Sequence, residues 1–131
     1  MKTIFKIAAI FSLVLLFACS GYGEKVSYDG TEIYYTEGVS KEVADKTGAY
    51  LEEMGFTDGS PKSVQLAKDE NYHFKMVVQQ QYAQDTTKDI NFKALGFLLS
   101  QEVFDGEPLK FHICDNTFET IRTFPIEGSK Q

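Results

Sequence analysis

From position 25 onward, apolar and polar residues follow two different periods. Val26, Tyr28, Ile33 and Tyr35 alternate with Lys25, Ser27, Glu32 and Tyr34 on either side of Asp29-Gly30. An Asp-Gly pair between alternating runs predicts a two-residue hairpin turn, because both turn residues take positive φ. That turn length sets Val26 opposite Ile33 and gathers the apolar side chains on one face. After Ser40, a natural helix N-cap, the period becomes helical: Val43, Thr47, Leu51 and Met54 recur, with Tyr50 beside the stripe. Gly55 is placed to end this helix in the left-handed conformation, with Phe56 folding back on Leu51. Glu52 and Glu53 oppose the helix dipole in the last turn and have no partner that would make them an acid/base pair.

The second half repeats this grammar. Val64 and Leu66, then Tyr72, Phe74, Met76 and Val78, predict a second hairpin that pairs Leu66 with Phe74 around Asp69-Glu70-Asn71. Gln79 to Asp85 is polar and reads as a loop, and Thr86 or Thr87 is placed to cap a second helix. Ile90, Phe92, Leu95, Leu99 and Val103 form its expected buried stripe, and Asp105-Gly106 ends it. Phe111 and Ile113 open a last strand pair that turns at Asp115-Asn116 and runs through Phe118 to Phe124. Phe118 and Ile121 have opposite parity there, which calls for a bulge. The tail from Pro125 to Gln131 is polar and is expected to fray.

Laid side by side, Gly48-Ala49-Tyr50-Leu51 corresponds to Gly96-Phe97-Leu98-Leu99, and Phe56 to Phe104. Asp58-Gly59-Ser60-Pro61 corresponds to Asp105-Gly106-Glu107-Pro108, and Val64-Gln65-Leu66 to Phe111-His112-Ile113. The expected fold is therefore α+β, ββαββαββ with an internal duplication. Its sheet is mostly antiparallel, of about six strands, with both helices on one face. Two helices are too few for a solenoid. Glycine inside a helix costs nearly 1 kcal/mol, so Gly48 and Gly96 predict a close backbone approach, to the sheet or to each other.

Ahead of this domain, Lys2 and Lys6 form a basic start and Ile7 to Phe17 an apolar run of eleven residues. That run is too short for a bilayer core that needs about twenty, but it has the dimensions of a secretory signal. Leu16, Ala18 and Cys19 resemble the lipobox of bacterial lipoproteins; Phe17 departs from it, since that family has a smaller residue there. The resemblance implies removal of residues 1–18, diacylglyceryl transfer to the thiol of Cys19, and attachment to a membrane through that lipid. Residues 19–24 then read as the lipidated cysteine and a short glycine-containing tether, and 25–124 as one α+β domain. Ser20 is not the aspartate that retains enteric-type lipoproteins at the inner membrane. The expected location is thus the outer membrane, facing the periplasm, in a cell that has one.

The chain has 13 basic and 19 acidic residues; without Lys2 and Lys6 the remaining net charge is −8. Such a surface is expected to be repelled by nucleic-acid phosphates and by anionic lipid headgroups. With Cys19 lipidated, Cys114 has no disulfide partner and is expected to be a buried, inert thiol, with Asp115 raising its pKa. The chain also resembles, through Tyr34-Tyr35-Thr36, Ser40-Lys41-Glu42 and Val64-Gln65-Leu66, a class of bacterial envelope domains found in lipoproteins. The same class includes soluble modules appended to rhomboid-type membrane proteins. This resemblance implies an architecture and no activity.

No phosphate-binding loop, zinc-binding helix motif, redox Cys pair or serine elbow is present. The Asp-Gly pairs lie at turns and lack the alternating oxygen ligands of a calcium loop. No cofactor and no metal is expected. A site formed by His73, His112 and Cys114 is conceivable if their strands are neighbours, but two solvated histidines on an open sheet are the simpler expectation. The helix-free face, with Tyr34, Gln65, His73, Lys75 and His112, is the candidate interaction surface, and Tyr34 its aromatic anchor. The function expected is a non-catalytic, lipid-anchored protein-binding or accessory module. The alternative is an envelope enzyme or small-ligand-binding protein with its site between helices and sheet.

Overall fold

The turn at Asp29-Gly30 has φ of 48° and 86° and sets Val26 opposite Ile33 as expected. The computed structural model describes residues 21–129, so Cys19 and the expected signal and lipobox lie outside the described residues. The hairpin strands are β1 (Glu24–Tyr28) and β2 (Thr31–Tyr35), followed by helix α1 (Lys41–Glu53). Then come β3 (Lys62–Lys68), β4 (Tyr72–Val77), helix α2 (Asp89–Glu102), β5 (Leu109–Cys114) and β6 (Thr120–Ile126).

Both helices begin and end for local reasons. Ser40 Oγ accepts the Val43 amide at 3.2 Å. At the other end of α1 the Phe56 amide reaches Leu51 O and the Gly55 amide reaches Glu52 O, a Schellman ending. Asp85 caps a short 3-10 turn, Thr86–Lys88, that leads into α2; the cap is this aspartate, one residue before the expected threonines. Ile90, expected inside, is 76 % exposed. The inward stripe of α2 starts instead at Phe92, and Ile90, Phe97 and Leu98 lie on the outer side.

The six strands lie in sequence order. The sheet is mixed, not mostly antiparallel: β2–β3 and β4–β5 are parallel, and the other three pairs antiparallel. Hairpins join the antiparallel pairs, whereas each helix carries the chain back to the end where the preceding strand began and so delivers a parallel neighbour. Leu66 faces Phe74 as expected. The large buried apolar strand residues Ile33, Val64, Leu66, Phe74, Phe111 and Ile113 point to one side, under α1 and α2.

Because β3 and β4 are antiparallel, the two parallel pairs run in opposite directions. Both helices nevertheless cover the same face while the chain advances across the sheet in one sense. The two crossovers therefore have opposite hands, and one is the rare left-handed kind. No rotation superposes the first ββα unit on the second.

Gly48 lies against the ring of Tyr28, and a Cβ there would be 2.7 Å from its Cγ; a Cβ on Gly96 would be 2.8 Å from Ile126 Cγ1. Both glycines thus serve contact with the sheet. Phe118 sits at φ 61° in the loop before β6, not in a strand. The expected bulge falls at Ile113/Cys114. The chain past Pro125 is less frayed than its polarity implies, since Ile126 is buried and the Ser129 amide donates to Gly106 O. Arg122 reaches from β6 to Ala83 O, Asp85 O and Asp89 Oδ1, tying the loop before α2 to the sheet edge.

Candidate functional site

The helix-free face is a product of strand parity. Tyr34, Gln65 and Lys75 stand in cross-strand register, Lys75 is opposite His112, and His73 lies two residues before Lys75. All five predicted interaction residues therefore share one face, but four of them are less available than expected.

Tyr34 is not a free aromatic anchor. Its ring packs edge-on with Tyr22 and Phe118, with centroids 5.6 and 5.7 Å away, and those two rings are 5.2 Å apart. Its hydroxyl donates to Glu32 Oε2 at 2.7 Å. This bond to a carboxylate, with burial, pushes the phenol up to about 12. Gln65 is buried and donates from Nε2 to Tyr22 O at 3.0 Å. The segment expected to be a plain tether thus folds back onto the face at Tyr22. Its glycine-rich flanks conceal an aromatic residue with partners.

The histidines are not two separate solvated side chains. β4 and β5 are neighbours, and His73 Nδ1 lies 2.8 Å from His112 Nε2. His73 Nε2 lies 2.9 Å from Asp69 Oδ1, and His112 Nδ1 lies 3.2 Å from both Thr120 Oγ1 and Thr123 Oγ1. With both rings neutral, the contacts assign one consistent set of tautomers. His73 Nε2–H donates to Asp69, His112 Nε2–H donates to His73, and a threonine hydroxyl donates to His112 Nδ1. The nitrogens that would face a shared metal are thus bonded to each other. Cys114 Sγ is 3.9 Å from Thr120 Oγ1, and burial pushes this thiol up. Among the described residues no three His, Cys, Asp or Glu side chains are grouped to hold a metal ion.

Burial, then the nearby His73, Lys75 and Lys110, lowers the His112 imidazole to about 4 against the weaker pull of Asp69. The Asn71 amide, then His73, lowers Asp69 to about 2. For His112 the unfolded chain takes up a proton near pH 6.5 while the folded chain resists until about 4. Stability is therefore full above 6.5 and falls between 6.5 and 4. The expected loss is on the order of 2 kcal/mol after allowance for solvent screening. Urea unfolding from pH 7 to 4 should show this slope in the natural protein and a flatter one in His112→Gln; equal slopes would refute the assignment. Asp69 adds its loss only below 3.8.

Two depressions flank the sheet. One, of about 410 Å³, is lined by residues including Asn71, Leu109, Lys110 and Glu127. The other, of about 470 Å³, is lined by Glu24, Tyr35, Glu37 and Lys41 among others. Neither contains the histidine pair. No described helix is long and apolar enough to cross a membrane.

A family model described as the AF_1994_N family N-terminal domain matches residues 25–124. The chain belongs to this family. The match spans all but the outermost residues of the six-stranded sheet, including every residue of the polar face from Lys25 to Thr123. No curated protein and no solved structure matches the chain.

Proposed function

We propose that this protein is a lipid-anchored lipoprotein of the bacterial envelope, a non-catalytic binding or accessory module whose helix-free sheet face is its interaction surface. One observation carries this reading: the chain just after the lipobox cysteine is held on that face. Tyr22, three residues past Cys19, is bound through its carbonyl by Gln65 and through its ring by Tyr34 and Phe118. The described chain therefore enters the fold on that face, three positions past the cysteine proposed to carry the lipid. The polar groups of the face also bond mainly to one another, from Asp69 through His73 and His112 to the threonines. That is the character of a surface rather than of a reactive centre.

The location that follows is the outer membrane, facing the periplasm, in a cell that has one. Cys19→Ser should release the protein from membranes or leave its signal uncut, read by fractionation and intact mass. Processed, membrane-bound Cys19→Ser protein would overturn the anchor. The internal duplication is retained here as a correspondence of local packing, with Gly48 and Gly96 each admitting a sheet side chain, and not as superposable halves.

A further inference from the structure

We infer that the helix-free face is a bilayer-docking surface, seated on anionic lipid headgroups with the helices turned away from the membrane. The inference rests on the lipid anchor proposed above and names the partner of that face.

The first argument is reach. Tyr22 is three positions past Cys19, a span of at most roughly 11 Å when extended. While Tyr22 stays in its aromatic and Gln65 contacts, the face it rests on cannot turn far from the lipid. The second is the distribution of charge. The chain is acidic, but its charge is uneven. Lys25, Lys75 and Lys110 project from the strands of this face against Glu32 alone. The helices carry Glu42, Asp45, Glu52, Glu53, Asp89 and Glu102 against Lys41, Lys46 and Lys93.

Those helical acids lie on the far side of the sheet, and at physiological salt a charge is felt over only about 8 Å. The headgroups would therefore meet the lysines, not the net charge. Lys75 and Lys110 have no ion pair among the described residues, whereas Glu32 is engaged by Tyr34 and Lys25. Of the other carboxylates near this face, Asp69 holds His73 and Asp115 accepts from Thr117 and the Glu119 amide, while Glu127 lines the same depression as Lys110. Tyrosines with an apolar ring and a polar tip suit the boundary between headgroups and water.

The test uses the lipidated protein in vesicles of phosphatidylglycerol and phosphatidylcholine, with a headgroup nitroxide lipid as quencher. The chain has no Trp, so two single-tryptophan variants report position: Ser27→Trp on the open face and Glu52→Trp on α1. Flotation with the vesicles reads the anchor by itself. In the floated protein, the indole of the Ser27→Trp variant should be quenched at least about twofold more than that of Glu52→Trp. Lys75→Glu and Lys110→Glu should each lower the docked-to-undocked ratio about fivefold or more without reducing flotation. Equal quenching of the two probes in protein that floats would overturn the docking face and leave the anchor standing. Protein that does not float would overturn the anchor first and the docking with it. Cross-linking of the Ser27→Trp variant to an envelope protein, with no lipid quenching, would replace the bilayer by a protein partner. Thr123→Trp, near the opposite edge, substitutes if Ser27→Trp unfolds.

Discussion

Phe111→Ala should lower the unfolding free energy by about 4 kcal/mol, read as a fall in the urea midpoint at unchanged slope. Phe111 is fully buried, with its ring 5.2 Å from Phe74, 5.8 Å from Phe92 and 6.5 Å from Phe124. Its Cδ2 lies 3.4 Å from where a Cβ on Gly96 would be. Truncation removes a large apolar group between α2 and the sheet. The surrounding strands, hydrogen-bonded on both sides, cannot close the gap. A domain of this size has about 5–15 kcal/mol in total, so the variant would stand near the limit of folding. Phe97→Ala, on the exposed side of α2, should cost under about 1 kcal/mol. A Phe111→Ala loss as small as that would mean α2 does not pack on β5.

Gly48→Ala should destabilise by about 2 kcal/mol in the natural background and stabilise by up to about 1 kcal/mol in a Tyr28→Ala background. Alanine is the better helix former, so the sign in isolation is favourable. Here its methyl group would meet the Tyr28 ring, down to the Cγ. That ring is fixed at its far end by the bond from its hydroxyl to Asp45 Oδ1 at 2.8 Å. The ring must move or α1 must lift. Removing the ring leaves only the helix propensity, and the sign reverses. A double-mutant cycle in urea checks both arms; the same sign in both backgrounds would refute the steric account.

These effects show what is legible along the chain. The Asp29-Gly30 turn, the Ser40 cap and the Gly55 stop can be read because each is decided by residues within a few positions of one another. Gly48 and Gly96 can be read as sites of close approach, since glycine in a helix needs a compensating contact; which side chain fills each space cannot. Periodicity misplaces Ile90 because α2 is apolar on both sides, and the period alone does not choose the inner one. Ile126 escapes the pattern because Pro125 reads as a stop, though as an edge-strand residue it costs no ladder bond.

The candidate face divides the same way. Strand alternation places Tyr34, Gln65, His73, Lys75 and His112 together, because parity survives any pairing that keeps the apolar side inward. Their chemistry depends on partners far along the chain. His73 and His112 meet only because α2 returns the chain to make β5 the parallel neighbour of β4. Tyr22 is drawn onto the face by Gln65 and Phe118, which sequence distance hides.

The sequence by itself determined the order of the elements, their local starts and stops, and which side of each strand turns inward, since all of these arise from near-neighbour sterics and the burial of apolar side chains. Only the tertiary structure decided the parallel pairings, the opposite hands of the two crossovers and the bonded histidine pair. Those follow from where distant segments come to lie, and the free energy of that choice is spread over the whole core.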